Sequence, residues 1–284
     1  MCELTLENRN GDRLTFGMQS PFQITEFQGL NPASATINTS EVAFIDGEKF
    51  NSAKLNVRTI NIAFAITIEP DKNRIEIYKV LKPKQTVKVT YKNDYRDVWI
   101  EGYVQKVDIS YFAKTQVCTC TILCPDPFLR EAQQIVDEMS SITPMFHFPF
   151  HSTASKDIVF GEIEIGGGIT VHNGGDVETG LIIELHARKA VSDPKVINYG
   201  TNEYIGLKFD MEAGDVITIN TSPGNKTVTL FRDGVESNIF NSVTSGSTWL
   251  QLSAAGETFV YEVGTGDPVD LLVTFKHDNL FEGV

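Results

Sequence analysis

Between Arg58 and Ile68 the chain alternates without a break, with Ile60, Ile62, Phe64, Ile66 and Ile68 at every second position and Thr59, Asn61, Ala63, Ala65 and Thr67 between them. A period of two places the large apolar side chains on one face of an extended strand, whereas a helix would scatter them around its axis. A strand this strongly one-sided needs neighbours on both edges and a second layer against its apolar face. The flanking sequence supplies them. Thr86 to Lys92, Val98 to Ile109 and Thr115 to Cys124 read as three further strands in an antiparallel meander.

Two helices are expected in this half. After Glu69-Pro70-Asp71 breaks the alternating strand, Ile75, Tyr78 and Leu81 fall three apart before Pro83. Further on, Asp126-Pro127 reads as an N-cap with Pro at the first helical position. Phe128, Ala132, Ile135 and Met139 follow at i, i+4, i+7 and i+11. Upstream, Ile37 to Ile45 leads into Asp46-Gly47, a dipeptide suited to a tight hairpin turn.

From Ile158 onward short strands alternate with turn signals: Gly166-Gly167-Gly168, Asn173-Gly174-Gly175, Pro223-Gly224-Asn225 and Asp233-Gly234. That punctuation indicates a β-sandwich or jelly roll without helices. The expected organisation is a first domain over residues 1–140, an ordered apolar linker over 141–157, and a second domain over 158–284. A chain of 284 residues is long enough for two cores.

Charge separates the halves. Residues 1 to 145 carry 16 basic and 18 acidic side chains, whereas residues 146 to 284 carry 8 and 19, most of the overall −13. An acidic chain is a poor match for specific nucleic-acid binding, which relies on clustered Lys and Arg. No run of about 18 apolar residues suggests a membrane span, and the N-terminus has neither a basic start nor an apolar core, which implies synthesis in the cytosol.

Searches for chemistry return nothing local. Cys118, Cys120 and Cys124 lack a second metal knuckle and read as core thiols on one strand face. His147 and His151 are four apart but separated by Pro149, which argues against a shared helical face. Gly166-Gly167-Gly168 lacks the third glycine of a dinucleotide loop, Gly224-Asn225-Lys226-Thr227 lacks the Gly-Lys of a phosphate loop, and no nucleophile elbow is present. No catalytic residue, cofactor or metal is therefore assigned. Trp249, Tyr261, Tyr199 and Tyr204 are the candidate saccharide contacts, since a sugar can stack on an exposed ring; the competing reading makes them core residues.

Several stretches resemble the siphovirus tail-component family, the distal tail proteins of phages with long non-contractile tails. They include Leu30-Asn31-Pro32, Ala35-Thr36-Ile37-Asn38-Thr39-Ser40, Asp46-Gly47-Glu48-Lys49-Phe50-Asn51-Ser52, Val98-Trp99-Ile100-Glu101-Gly102-Tyr103-Val104 and Ile122-Leu123-Cys124-Pro125-Asp126-Pro127-Phe128. The second half adds Gly174-Gly175-Asp176-Val177-Glu178-Thr179-Gly180, Gly246-Ser247-Thr248-Trp249-Leu250 and Leu280-Phe281-Glu282-Gly283-Val284. The resemblance implies a mainly β protein, with an N-terminal belt domain carrying one or two helices and a C-terminal galectin-like β-sandwich. It further implies a homo-hexameric, non-enzymatic ring at the distal tail of the virion. Its partners would be the tail tube protein, the tail-tip or tail-associated protein and a receptor-binding protein, with DNA passing through the ring without specific binding. A host-adhesion module whose second domain binds cell-wall saccharide is the alternative, and a glycosidase with two facing carboxylates ranks third.

Overall fold

The computed structural model describes residues 2–17, 20–139, 141–144, 161–164 and 168–284, the two short segments as backbone only. His147, His151, Gly166, Gly167 and linker residues 145–157 lie outside the described residues. The chain divides into two compact units, Met1–Ala132 with Leu280–Val284, and Gln133–Asn279. The last five residues thus belong with the first unit, and residues 133–139 with the second.

The first unit contains β1 (Glu3–Asn8), β2 (Arg13–Phe16), β3 (Phe22–Gln28), β4 (Ala35–Glu41), β5 (Glu48–Leu55), β6 (Arg58–Ile66), α1 (Pro70–Val80), β7 (Thr86–Lys92), β8 (Asp97–Ile109), β9 (Gln116–Cys124) and β10 (Leu129–Glu131). One antiparallel sheet runs β2-β1-β7-β8-β9-β6-β3, with β10 and the terminal strand Leu280–Phe281 attached beside β8. The sheet curls until its edges meet over a cluster of rings. Phe16 of β2 and Phe22 of β3 lie 5.9 Å apart, and both pack on Phe64 of β6 at 4.9 and 5.6 Å.

The alternating segment is β6, and Ile60, Ile62, Phe64 and Ile66 are buried as their spacing requires. Ile68 falls beyond the strand end and is exposed. The meander β7-β8-β9 is present, and Cys118, Cys120 and Cys124 enter the core, where burial pushes each thiol up to about 12. Gly102 of β8 marks a close approach: a Cβ there would lie 2.6 Å from Ile122 Cγ2 and 2.7 Å from Cys124 Sγ.

Three expectations are corrected. The segment after Asp126 is two strands, β10 and Ile135–Glu138, rather than a helix. Asp126 Oδ1 does accept from the Phe128 amide at 3.1 Å, but as a turn that turns the chain into extended pairing, and Oδ2 holds Arg130 at 2.8 Å. β10 then pairs with β8 and Leu280–Phe281, and Ile135–Glu138 pairs with Leu271–His277. Second, α1 exists but buries Ile77, Val80 and Leu81, leaving Ile75 and Tyr78 exposed. Third, β4 ends at Glu41, which pairs with Glu48, so the connection is a six-residue loop, 42–47, rather than a two-residue turn at Asp46-Gly47.

The second unit is a sandwich of a six-stranded sheet, ordered Ile135–Glu138, Leu271–His277, Ile182–Ala187, Val216–Asn220, Thr227–Arg232 and Val235–Asn238, and a four-stranded one, ordered Ile169–Val171, Glu257–Glu262, Lys195–Asn198 and Tyr204–Gly206. Phe259 of the smaller sheet stacks on Phe275 of the larger at 4.9 Å, in a core that includes Ile183, Leu185, Ile219 and Val273. Asp233 and Gly234 both have positive φ, giving the expected two-residue turn between Arg232 and Val235. The strand Leu271–His277 belongs to this sandwich, and the chain re-enters the first unit three residues later.

Two outcomes follow from this packing. Gly102→Ala should lower the melting temperature of the first unit, at a cost of about 1–3 kcal/mol for overpacking, measured by thermal denaturation. His277 is 1 % exposed, and burial holds its imidazole below the ordinary 6.5 against the opposing pull of Asp137, the His172 backbone, Asn279 and Asp278. A lowered imidazole is neutral when folded, so its contribution is complete above pH 6.5 and declines as acid protonates the unfolded chain. Asp215, lowered chiefly by its hydrogen bond from Arg232, loses its contribution only below 3.8. Melting of the second unit should therefore fall between pH 7.5 and 5, and His277→Asn should flatten that slope.

Candidate assembly interface

β4 and β5 pair only with each other, forming a two-stranded sheet apart from the main one. Their register divides the side chains cleanly. Ile37, Thr39, Glu41, Glu48, Phe50 and Ala53 share one face, and Thr36, Asn38, Ser40, Lys49, Ser52 and Lys54 the other. The polar face is internally bonded, with Asn38 Nδ2 donating to Ser52 Oγ at 3.0 Å. Ile37 and Phe50 on the apolar face remain exposed.

The connecting loop extends that character. Val42 and Ile45 are exposed, and Phe44 is 108 % exposed with φ at +65°. A bulky aromatic residue held at positive φ with its whole ring in water is costly on both counts. An isolated two-stranded hairpin is marginal in water, and this one is patterned for burial without being buried. That combination makes the hairpin the candidate interface of the first unit.

The root of the hairpin is firmly held. Arg58, the first residue of β6, is 2 % exposed and spends its guanidinium on main-chain oxygens: Nε to Pro127 O at 2.7 Å, Nη1 to Gly29 O at 2.5 Å and Asn31 O at 2.7 Å, and Nη2 to Glu282 O at 2.7 Å. Burial lowers the guanidinium pKa from its ordinary value, opposed by Cys124 and Asp126. Gly29 has φ +108°, and a Cβ there would lie 2.5 Å from Thr59 O, so the chain can cross the start of β6 only as glycine. Asn56 closes the other side, its amide donating to Ser34 O at 2.8 Å while its Oδ1 accepts from Thr36 at 2.7 Å. The Val284 amide donates to Leu30 O at 3.3 Å. The hairpin stands on a rigid base.

The four aromatic candidates in the second unit do not form one surface. Tyr261 is opposite Val196 in register and packs towards the core, with its hydroxyl donating to Pro268 O at 3.0 Å. Trp249 also packs against the core, stacked on Phe240 at 5.5 Å with Lys226 Nζ 5.4 Å from its ring. Tyr204 is opposite Ile197, on the outer face of the same sheet, and Lys195 Nζ covers its ring at 4.4 Å. It borders a cavity of about 380 Å³ with Asp193, Lys195, Lys208 and Thr244. Tyr199 is 70 % exposed beyond the end of its strand. Among the described residues no group of three His, Cys, Asp or Glu side chains converges as a metal site.

Comparison with known proteins gives two family matches. Residues 9–124 match the phage tail protein RIFT-related domain, and residues 174–277 match the C-terminal domain of the siphovirus-type tail component. No curated protein sequence matches. Among solved structures, the Dit protein of phage SPP1, described as a paradigm of the hub adsorption apparatus in phages infecting Gram-positive bacteria, superposes with a TM-score of 0.68 at 14% identity. The match covers 98% of this chain and 99% of that one. Chains from the phage P2 baseplate in its activated conformation with calcium, and from the same baseplate with strontium, each give 0.54 over the full length of both chains, at 13% and 14% identity. The likeness to these structures is one of fold.

Arg58→Lys keeps the charge but cannot reach carbonyls in several directions from one planar group. It should cost about 2–3 kcal/mol through charge-assisted bonds lost around a buried cation. In a Trp249→Phe background, fluorescence of Trp99, then the only tryptophan, should report the earlier melting.

Proposed function

We propose that this chain, which belongs to the siphovirus tail-component family, forms a six-fold ring hub at the distal end of a long non-contractile phage tail. In this reading the ring joins the tail tube to the tail-tip and host-adsorption proteins and leaves a central channel for DNA exit. The protein is a virion scaffold without a catalytic role, made in the host cytoplasm. The observation that carries the ring is the β4–β5 hairpin, an amphipathic sheet rigidly rooted and uncovered in the single chain.

Charge supports the same division of labour. The half that carries the hairpin is nearly neutral, so copies can approach without strong repulsion, and the acidic half suits a peripheral position facing solvent or basic partners. Near-neutral or acidic channel walls would let DNA slide. The second unit, read as a galectin-like sandwich over roughly residues 158–284, is the portion that meets the adsorption apparatus. A saccharide role for it would centre on Tyr204, which borders the cavity on the outer face, because Trp249 and Tyr261 pack inward and Tyr199 stands exposed away from that cavity's lining. Binding of the full-length protein on a glycan array, abolished by Tyr204→Ala, would favour that adhesion role; an empty array favours the scaffold.

Light scattering across a concentration series tests the ring. The full-length protein should show six times the monomer mass. Replacing Ile37 and Phe50 together by Asn should return it to monomer without changing the melting reported by Trp99. A monomeric parent, or a double variant that still assembles, would refute the hairpin as the interface.

A further inference from the structure

The first unit holds a polar hollow that shares no residue with the hairpin. It is a cavity of about 370 Å³ lined by Arg9, Asn10, Lys84, Gln85, Thr86 and Tyr103, two cations and no carboxylate. Among the described residues neither Arg9 nor Lys84 forms an ion pair. Thr86 lies in the wall at 5 % exposure, and its hydroxyl has no hydrogen-bond partner among the described residues. A stranded hydroxyl destabilises a fold, so one placed beside two unpaired cations calls for a ligand that serves all three.

The main chain holds these groups in place. β1 runs beside β7 with Asn8 opposite Val87, which brings Arg9 up next to Thr86. The buried Asn8 fixes the turn that follows: its Oδ1 accepts from the amides of Asn10 at 2.9 Å and Asp12 at 3.0 Å, and its Nδ2 donates to Asp12 Oδ2 and Lys79 O, both at 3.0 Å. Across the next pair of strands Thr86 is opposite Tyr103. Lys84 has φ +73°; its amide donates to Val104 O at 2.9 Å, and the Val104 amide donates to Gln85 O at 3.0 Å. A lysine fastened in the left-handed region carries strain of the kind that collects at binding sites.

A phosphate monoester carries nearly two negative charges and several strong acceptor oxygens. Arg9 and Lys84 match the charge, and the Thr86 hydroxyl with the Asn10 and Gln85 amides supplies further donors. A polyanion fits less well, because an adjoining hollow that shares Arg9 and Thr86 is also lined by Glu7 and Glu101. The volume leaves room beyond a phosphate group, and the half-exposed Tyr103 adds a ring for a sugar or polyol to rest on. We infer that this cavity binds one phosphate monoester carried on a sugar or polyol, with Arg9 and Lys84 neutralising the phosphate and Thr86 donating its hydroxyl to it.

Isothermal titration of the full-length protein with glycerol 3-phosphate tests this, beside inorganic phosphate, glutamate and a short single-stranded oligonucleotide. The parent should bind one equivalent of glycerol 3-phosphate, more tightly than the other three probes. Arg9→Gln combined with Lys84→Asn changes two exposed positions, and Asn tolerates positive φ, so the fold should stand while affinity falls about a hundredfold or more. Thr86→Val should weaken binding about tenfold and leave the melting temperature without ligand at or above the parent value, since it removes a hydroxyl that the free protein does not satisfy. Absence of binding by either phosphate, or a double variant that binds like the parent, overturns the site. A Thr86→Val protein that melts lower and binds as tightly overturns the part given to the hydroxyl. Inorganic phosphate binding as tightly as the ester overturns the polyol, and tighter binding of glutamate or of the oligonucleotide overturns the phosphate monoester in favour of a carboxylate or a nucleic-acid strand.

Discussion

The first unit depends on one buried cation. Arg58 gathers four main-chain carbonyls, from Gly29, Asn31, Pro127 and Glu282, the last of them 224 residues from Arg58 in sequence. A guanidinium can do this because its donors lie in one rigid plane and point in several directions, whereas an ammonium presents a single compact head. The desolvation cost of burying the charge is offset by short charge-assisted bonds to the four carbonyls. Its position at the start of β6, just after the hairpin, makes it both part of the core and the pin that sets the direction of β4 and β5.

The hairpin above that pin follows the opposite logic. The base below it is tied down by hydrogen bonds, whereas Ile37 and Phe50 on its apolar face are left open. Strands in the main sheet bury alternate residues at once, so their patterning stabilises the monomer. In β4 and β5 the same alternation stabilises nothing until another surface arrives. The two sheets of the first unit therefore follow one sequence rule with different results, burial in one case and exposure in the other.

Much of this was legible in the sequence where the information was local. The alternation of β6, the meander through β9, the core thiols and the Asp233-Gly234 turn all depend on residues near one another. The segment after Asp126 was misread because its pairing partners, Leu271–His277 and Leu280–Phe281, lie some 140 residues away, and the spacing of Phe128, Ala132, Ile135 and Met139 carries no trace of them. For α1 the period located the helix but not its buried face: Ile75 and Tyr78 face outward, while Ile77 and Val80 are buried. Arg58 could not be found from side-chain patterns, since its partners are backbone oxygens that any residue supplies. The hairpin itself was visible, but only its register and exposure show that its apolar face is uncovered.

The return of residues 280–284 to the first unit sets the order in which the molecule can be completed during synthesis. The second unit is one continuous stretch, Gln133–Asn279, and has every strand it needs before the chain's last residues appear. The first unit, although made earlier, must wait for Leu280–Phe281 to add its strand and for Glu282 to fill the last position around Arg58. Until then the base of the hairpin lacks one of its fastenings. A nascent chain therefore cannot complete the base of its exposed hairpin until translation has run through both units, which delays the finishing of that surface to the end of synthesis of residues 1–284.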